Sequence, residues 1–88
     1  MESYKVLYKP AFRKDLRQLP KRIAVRVISQ IRELNQNPFP PQSVRLWGRE
    51  KLQRIRVGDY RIIYSVDVTA GEVLIHCVRH RREVYRNL

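Results

Sequence analysis

The side chains with the most chemistry to offer in this sequence are its arginines. Of the 19 basic residues, 14 are arginine, and with only 8 acids the formal net charge is +11. Three of them, Arg54, Arg56 and Arg61, flank the Gly58-Asp59 pair. A glycine first in a two-residue loop suits a tight type II′ hairpin turn. That turn sets Val57 opposite Tyr60, Arg56 opposite Arg61, Ile55 opposite Ile62 and Arg54 opposite Ile63. Alternation along the strands then puts Ile55, Val57, Tyr60, Ile62 and Tyr64 on one face, and Arg54, Arg56 and Arg61 on the other. Like charges directly opposite one another destabilise a strand pair. No carboxylate of the hairpin offers an obvious counter-charge on that face. Two readings stand. One is a solvated basic face, its repulsion screened by salt. The other is a cradle for a polyanion, because guanidinium forks bind phosphate bidentately.

Phosphate-directed chemistry without a metal is what this residue set supports. Cleaving RNA takes an internal nucleophile, in-line alignment, charge stabilisation and proton transfer. The 2′-OH nucleophile arrives with the substrate. Arginines stabilise the extra negative charge of the transition state. His80 is either an exposed surface histidine or a group that takes or gives a proton near neutrality. Tyr85 either anchors the C-terminal segment or stacks on a base. Other chemistries find no pattern. His76, Cys77 and His80 are close in sequence, but His76 and Cys77 are expected on opposite faces of a strand, and zinc takes four well-placed ligands. Cys77 is expected as a small core residue. There is no G-x-S-x-G elbow and no Walker loop, and the eight acids are dispersed. No metal and no cofactor is expected.

These residues need elements to position them. At 88 residues, 43 % of them apolar, the chain makes one small domain spanning 1–88. Tyr4 to Lys9 alternates as a half-buried strand ended by Pro10. Phe12, Leu16 and Leu19 then recur at helical spacing. Leu19-Pro20 is the corner of a helix hairpin. From Lys21, the residues Ile23, Val27, Ile28, Ile31 and Leu34 mark a second helix that stops before Asn37-Pro38. Pro38 to Glu50 reads as a loop, with Trp47 tucked on the core. Leu52 to Val57, Tyr60 to Val66 and Glu72 to Arg79 read as strands. The last is apolar on both parities, as a central strand is. The fold class expected is α+β: an N-terminal strand, a helix hairpin, then antiparallel strands forming a small sheet with the helices on one face, and a short C-terminal helical segment. No apolar run spans a membrane and no signal peptide is expected. A single cysteine fits a reducing cytoplasm.

The string Leu52-Gln53-Arg54-Ile55-Arg56-Val57-Gly58-Asp59-Tyr60-Arg61-Ile62-Ile63-Tyr64 resembles the strand hairpin of RelE/ParE toxins. The ending Arg79-His80-Arg81-Arg82-Glu83-Val84-Tyr85-Arg86 is similar to the C-terminus of the RelE type. The opening strand, the hairpin broken at Leu19-Pro20 and the Leu46-Trp47-Gly48 lead-in match as well. The resemblance implies an endoribonuclease toxin that cleaves mRNA in the ribosomal A site, a RelB-type antitoxin that wraps it, and a complex that binds operator DNA through the antitoxin. It implies that Arg61 contacts the scissile phosphate, that Arg81 stabilises charge or protonates the leaving group, and that Tyr85 stacks on or orients the substrate. Arg54 and Arg56 match two basic positions that are often lysine. Arginine does not deprotonate in proteins, so a lysine's proposed role as general base passes to His80, to water or to ribosomal RNA, or catalysis rests on alignment and electrostatics. The expected RNA-binding set is Arg54, Arg56, Arg61, Arg79 and Arg82. Two other functions compete: a ParE-type inhibitor of DNA gyrase without RNase activity, and a plain nucleic-acid-binding domain. A chain this basic is expected to favour an acidic, partly disordered antitoxin segment that folds on binding.

Overall fold

The computed structural model describes residues 3–46 and 52–81. In chain order it has β1 (Lys5–Tyr8), α1 (Pro10–Gln18), α2 (Lys21–Gln36), β2 (Ser43–Arg45), β3 (Leu52–Val57), β4 (Tyr60–Asp67) and β5 (Glu72–His80). Pro10 opens α1 at a position whose N–H has no helical partner in any case. The helix ends at Leu19, extended ahead of Pro20. α2 runs to Asn37, which is again held extended by the proline that follows it.

The five strands form one sheet in the order β1-β5-β4-β3-β2. The β3–β4 hairpin pairs Val57 with Tyr60, Arg56 with Arg61, Ile55 with Ile62 and Arg54 with Ile63, the register expected from the turn. Gly58 sits there at φ 61°, a conformation glycine adopts without strain. Phe12 of α1 and Val27, Ile31 and Leu34 of α2 bury their apolar stripes against Ile55, Ile62 and Tyr64 of the sheet. Tyr64 is fully buried, and its hydroxyl donates to the Pro38 carbonyl at 2.8 Å, which ties the segment after α2 to the core.

Four features differ from the expectation. β1 joins β5 in parallel, so the sheet is mixed. Alternation reveals a strand but carries no signal for the direction of its partner. The expected loop contains β2, which pairs antiparallel with β3. A three-residue edge strand with Val44 exposed is too short to show a period. β5 carries a bulge opposite Ile63 and Tyr64. The extra residue puts His76 and Cys77 on the same face, where strict alternation separates them. Lastly, the face away from the helices is not wholly basic: Leu52, Ile63 and Cys77 form a second apolar cluster in its middle, packed by Leu46. Trp47 and the C-terminal segment after Arg81 lie outside the described residues.

β1 covers β5 only from Glu72 to Ile75. Beyond that point α1 takes the place of a strand. Asp15 Oδ2 accepts from the Val78 backbone N–H at 3.3 Å and from Arg79 Nε at 3.2 Å. One carboxylate thus satisfies an open sheet edge and a half-buried guanidinium together. Asp15→Ala is expected to lower the unfolding free energy by about 1–3 kcal/mol, because both donors lose their partner. Asp15→Asn, which keeps an acceptor, should lose less. Urea unfolding checks this, and an alanine variant as stable as the wild type contradicts it.

Candidate nucleic-acid interface

The hairpin register brings Arg54, Arg56 and Arg61 onto the sheet face away from the helices. Arg61 is the one drawn inward: its Nε and Nη1 are buried and have no hydrogen-bond partner among the described residues. Burial lowers its pKa from the ordinary value, and the neighbouring guanidiniums of Arg54, Arg56 and Arg81 lower it further. Asp59 acts in the opposite sense. The turn therefore does supply a counter-charge, contrary to the expectation from the strand faces. A guanidinium this basic keeps its proton at any physiological pH.

Two backbone contacts hold the cluster in place. Arg56 Nε donates to the Gly58 carbonyl at 3.2 Å. The Arg81 N–H donates to the Asp59 carbonyl at 2.7 Å. The second bond fastens the residue that follows β5 to the turn and brings Arg81 within electrostatic reach of Arg61.

The other expected site residues divide. Arg79 pairs with Arg61 in the ladder, but its Nε is held by Asp15 toward α1. His80 pairs with Tyr60, and the two rings meet edge to face at 5.5 Å. Tyr60 packs on the main core, so His80 stands on the helix side of the sheet. There it lines a cleft of about 490 Å³ with Lys14, Asp15, Leu19 and Tyr60. The structure does not bring His80 to the arginine cluster. Arg82 and Tyr85 lie outside the described residues. The sequence reading missed Asp15, because one acid among the basic residues of α1 carries no pattern. His76, weighed in the sequence only as a metal ligand, has its Nε2 2.9 Å from Ser65 Oγ. His76 is on the arginine face, but Ser65 is four residues from Arg61 along β4, roughly 13 Å away at strand rise. Burial, with help from Lys9, lowers the His76 pKa. Burial raises that of the Cys77 thiol, which disfavours the thiolate. Among the described residues no three His, Cys, Asp or Glu side chains gather as a metal site would need, and no helix is long and apolar enough to cross a membrane.

Comparison with known proteins gives a consistent answer. The family described as "ParE toxin of type II toxin-antitoxin system, parDE" matches residues 6–85. Toxin RelE3 of Methanocaldococcus jannaschii is 32 % identical over 85 residues, covering 92 % of this chain and 94 % of that protein. The archaeal RelE–RelB complex from Pyrococcus horikoshii contains a chain that superposes with a TM-score of 0.79 at 31 % identity, over 89 % of this chain and 94 % of that one. The toxin–antitoxin complex RelBE2 from Mycobacterium tuberculosis gives 0.77 at 32 % identity, over 92 % and 94 % of the two chains.

Two measurements check the electrostatics of this face. Arg61→Met removes a half-buried charge, with two buried nitrogens lacking a partner among the described residues, from among like charges, and is expected to raise the unfolding free energy by on the order of 1 kcal/mol. A less stable methionine variant contradicts the site. For His76, a folded-state pKa below the unfolded value of about 6.5 means that the unfolded chain binds the proton more readily. The stability it contributes is present above that pH and is lost as pH falls through about 6.5 toward the lowered folded value. Thermal melts at neutral and mildly acid pH should show this loss, and His76→Gln should flatten it.

Proposed function

The chain belongs to the RelE/ParE toxin family of type II toxin–antitoxin systems, and we propose that it is a ribosome-dependent endoribonuclease that cuts mRNA in the A site and so arrests translation. The observation that carries this reading is the half-buried Arg61, whose Nε and Nη1 are buried without a partner among the described residues and which is flanked by Arg54, Arg56 and Arg81. A phosphodiester that is gaining charge is the ligand such a cluster suits best. The relatives named above are RelE proteins at 31 to 32 % identity over nearly the full chain.

In the proposed reaction the ribose 2′-oxygen attacks the adjacent phosphorus, the bond to the 5′-oxygen breaks, and the products end in a 2′,3′-cyclic phosphate and a 5′-hydroxyl. Arg61 binds the scissile phosphate. Arg54 and Arg56 neutralise the charge that accumulates on its free oxygens. Arg81 donates a hydrogen bond to the departing 5′-oxygen, which takes its proton from water. Tyr85 orients the nucleotide by stacking. His80 faces the α1 cleft and takes no part in proton transfer. The 2′-OH proton passes to water, and the rate enhancement comes from alignment and preorganised charge. The guanidiniums fill the role a metal ion would have, so the reaction is metal-independent.

The partner follows the same reading. Chains like this one occur in RelE–RelB complexes. A RelB-type antitoxin neutralises the toxin in the cytoplasm and carries the complex to operator DNA.

Primer extension on a translated message tests the proposal. Wild-type protein with ribosomes should give cuts within codons, unaffected by EDTA. Arg61→Ala should reduce them by at least 10²-fold, the scale of one lost oxyanion donor, and His80→Gln should leave them within about threefold, well under the 10²-fold lower bound for a lost general acid–base. Intact message throughout, together with inhibition of gyrase supercoiling, would transfer the assignment to the ParE type.

A further inference from the structure

The arginine face does not end at the edge of the sheet. A Cβ placed on Gly58 would lie 3.7 Å from Arg26 Nη1, so the α2 guanidinium rests against the β3–β4 turn. From the sheet side, Arg56 Nε is bonded to the carbonyl of the same glycine at 3.2 Å. One turn thus has a guanidinium from each layer of the fold against it. Arg22 lies one helical turn before Arg26, about 6 Å along the axis. Both are exposed. The ion pair among the described residues is Arg79 with Asp15, and it involves neither.

We propose that the phosphate-binding surface continues around the Gly58-Asp59 turn onto α2, with Arg26 and Arg22 as additional contacts to the RNA backbone. This rests on the RNA reading of the sheet face and extends it to the helical layer. The charge placement on α2 supports it. The first turn of α2 holds Lys21 and Arg22 and no acid, and no side chain caps it. Cations there oppose the helix dipole, which favours negative charge at that end. The only acid of α2, Glu33, is three turns away. Within α2 no acid near this end compensates them, Asp59 is the acid of the adjoining turn and already offsets Arg61, and a phosphate backbone would supply the remaining negative charge.

The alternative occupant is an acidic protein segment. Stable protein interfaces have an apolar centre ringed by polar residues. Around the turn, Arg26 Nη1 and the edge of the nearly buried Ile23 face Gly58, and the one large exposed apolar residue of α2 is Val25. Guanidinium forks on both sides of one turn, with no large exposed apolar residue of α2 but Val25, fit phosphates better than side-chain carboxylates.

Fluorescence anisotropy with a short fluorescein-labelled 2′-O-methyl RNA, across a salt series, tests this. The methylated probe binds without being cut. The Arg22→Ala/Arg26→Ala double variant should bind several-fold more weakly than wild type. Its slope of log K against log salt should be shallower by about 1.4, the value for two lost contacts to a single strand. The corresponding glutamine pair should behave alike, and both should melt as wild type does. Arg32→Ala, on the β1 side of α2 beside Val6 and Asn35, should bind as wild type. Equal losses in the Arg32 variant and the double variant would overturn the proposal in favour of diffuse net charge. A double variant that keeps RNA affinity but loses affinity for polyglutamate would overturn it in favour of an acidic protein. A normal double variant beside a weakened Arg61→Ala would overturn the extension alone. No binding by wild type would overturn the extension and the RNA reading of the sheet face together.

Discussion

A half-buried guanidinium set among other guanidiniums is the constraint on which this end of the molecule depends. Arg61 loses part of its hydration to the sheet and receives no hydrogen-bond partner for Nε or Nη1 among the described residues. Its cross-strand partner is Arg56, its diagonal neighbour Arg54, and the chain returns at Arg81 to add a further positive charge. Each of these placements works against the folded state. They persist because the backbone over-determines them. The hairpin register fixes three arginines at once, and reversing their face would require shifting the whole apolar set of β3 and β4 out of the core. The stability of the main core is what holds a local arrangement that is unfavourable by itself, a common pattern where a site is built for a ligand.

The rest of the fold regulates how much positive charge reaches that point. Asp59 sits at the turn and partly offsets the cluster. The hydrogen bond from the Arg81 N–H to the Asp59 carbonyl sets where β5 ends and Arg81 begins. Asp15 draws Arg79 toward α1, although the ladder sets Arg79 beside Arg61. One acid of the first helix therefore limits crowding at the arginine face and closes the exposed edge of β5 in the same contact. The helix hairpin thus supports the site as well as covering the core.

Much of this was readable from the sequence where a short-range rule had two independent supports. The Gly58-Asp59 turn and the alternation of Ile55, Val57, Ile62 and Tyr64 both demanded the same register, and the arginine face followed from it. The ends of both helices were marked by Pro20 and Pro38. What could not be read depended on long-range geometry. No local pattern in Tyr4 to Lys9 distinguishes a parallel neighbour from an antiparallel one. The bulge at His76 adds one residue without a glycine or proline to announce it. His80 lies next to Arg81 in sequence, yet strand parity turns it to the helix side against Tyr60, while Arg81 continues past the strand to the turn. Asp15 acquires its role from residues more than sixty positions away, a distance over which spacing carries no information.

The family places this chain among toxins, and the arrangement of charge explains why so few kinds of residue are needed. In the proposed reaction the nucleophile belongs to the substrate, and the protein contributes fixed positive charge at the phosphate. Single-turnover cleavage on ribosomes programmed with a message bearing one 2′-deoxy nucleotide at the cut site tests that division of labour most directly. The account predicts that the substituted message binds and stays intact at that position, while the all-ribose message is cut to a 2′,3′-cyclic phosphate. Cleavage of the substituted message at the same bond would contradict it, since the attacking oxygen would then have to come from elsewhere.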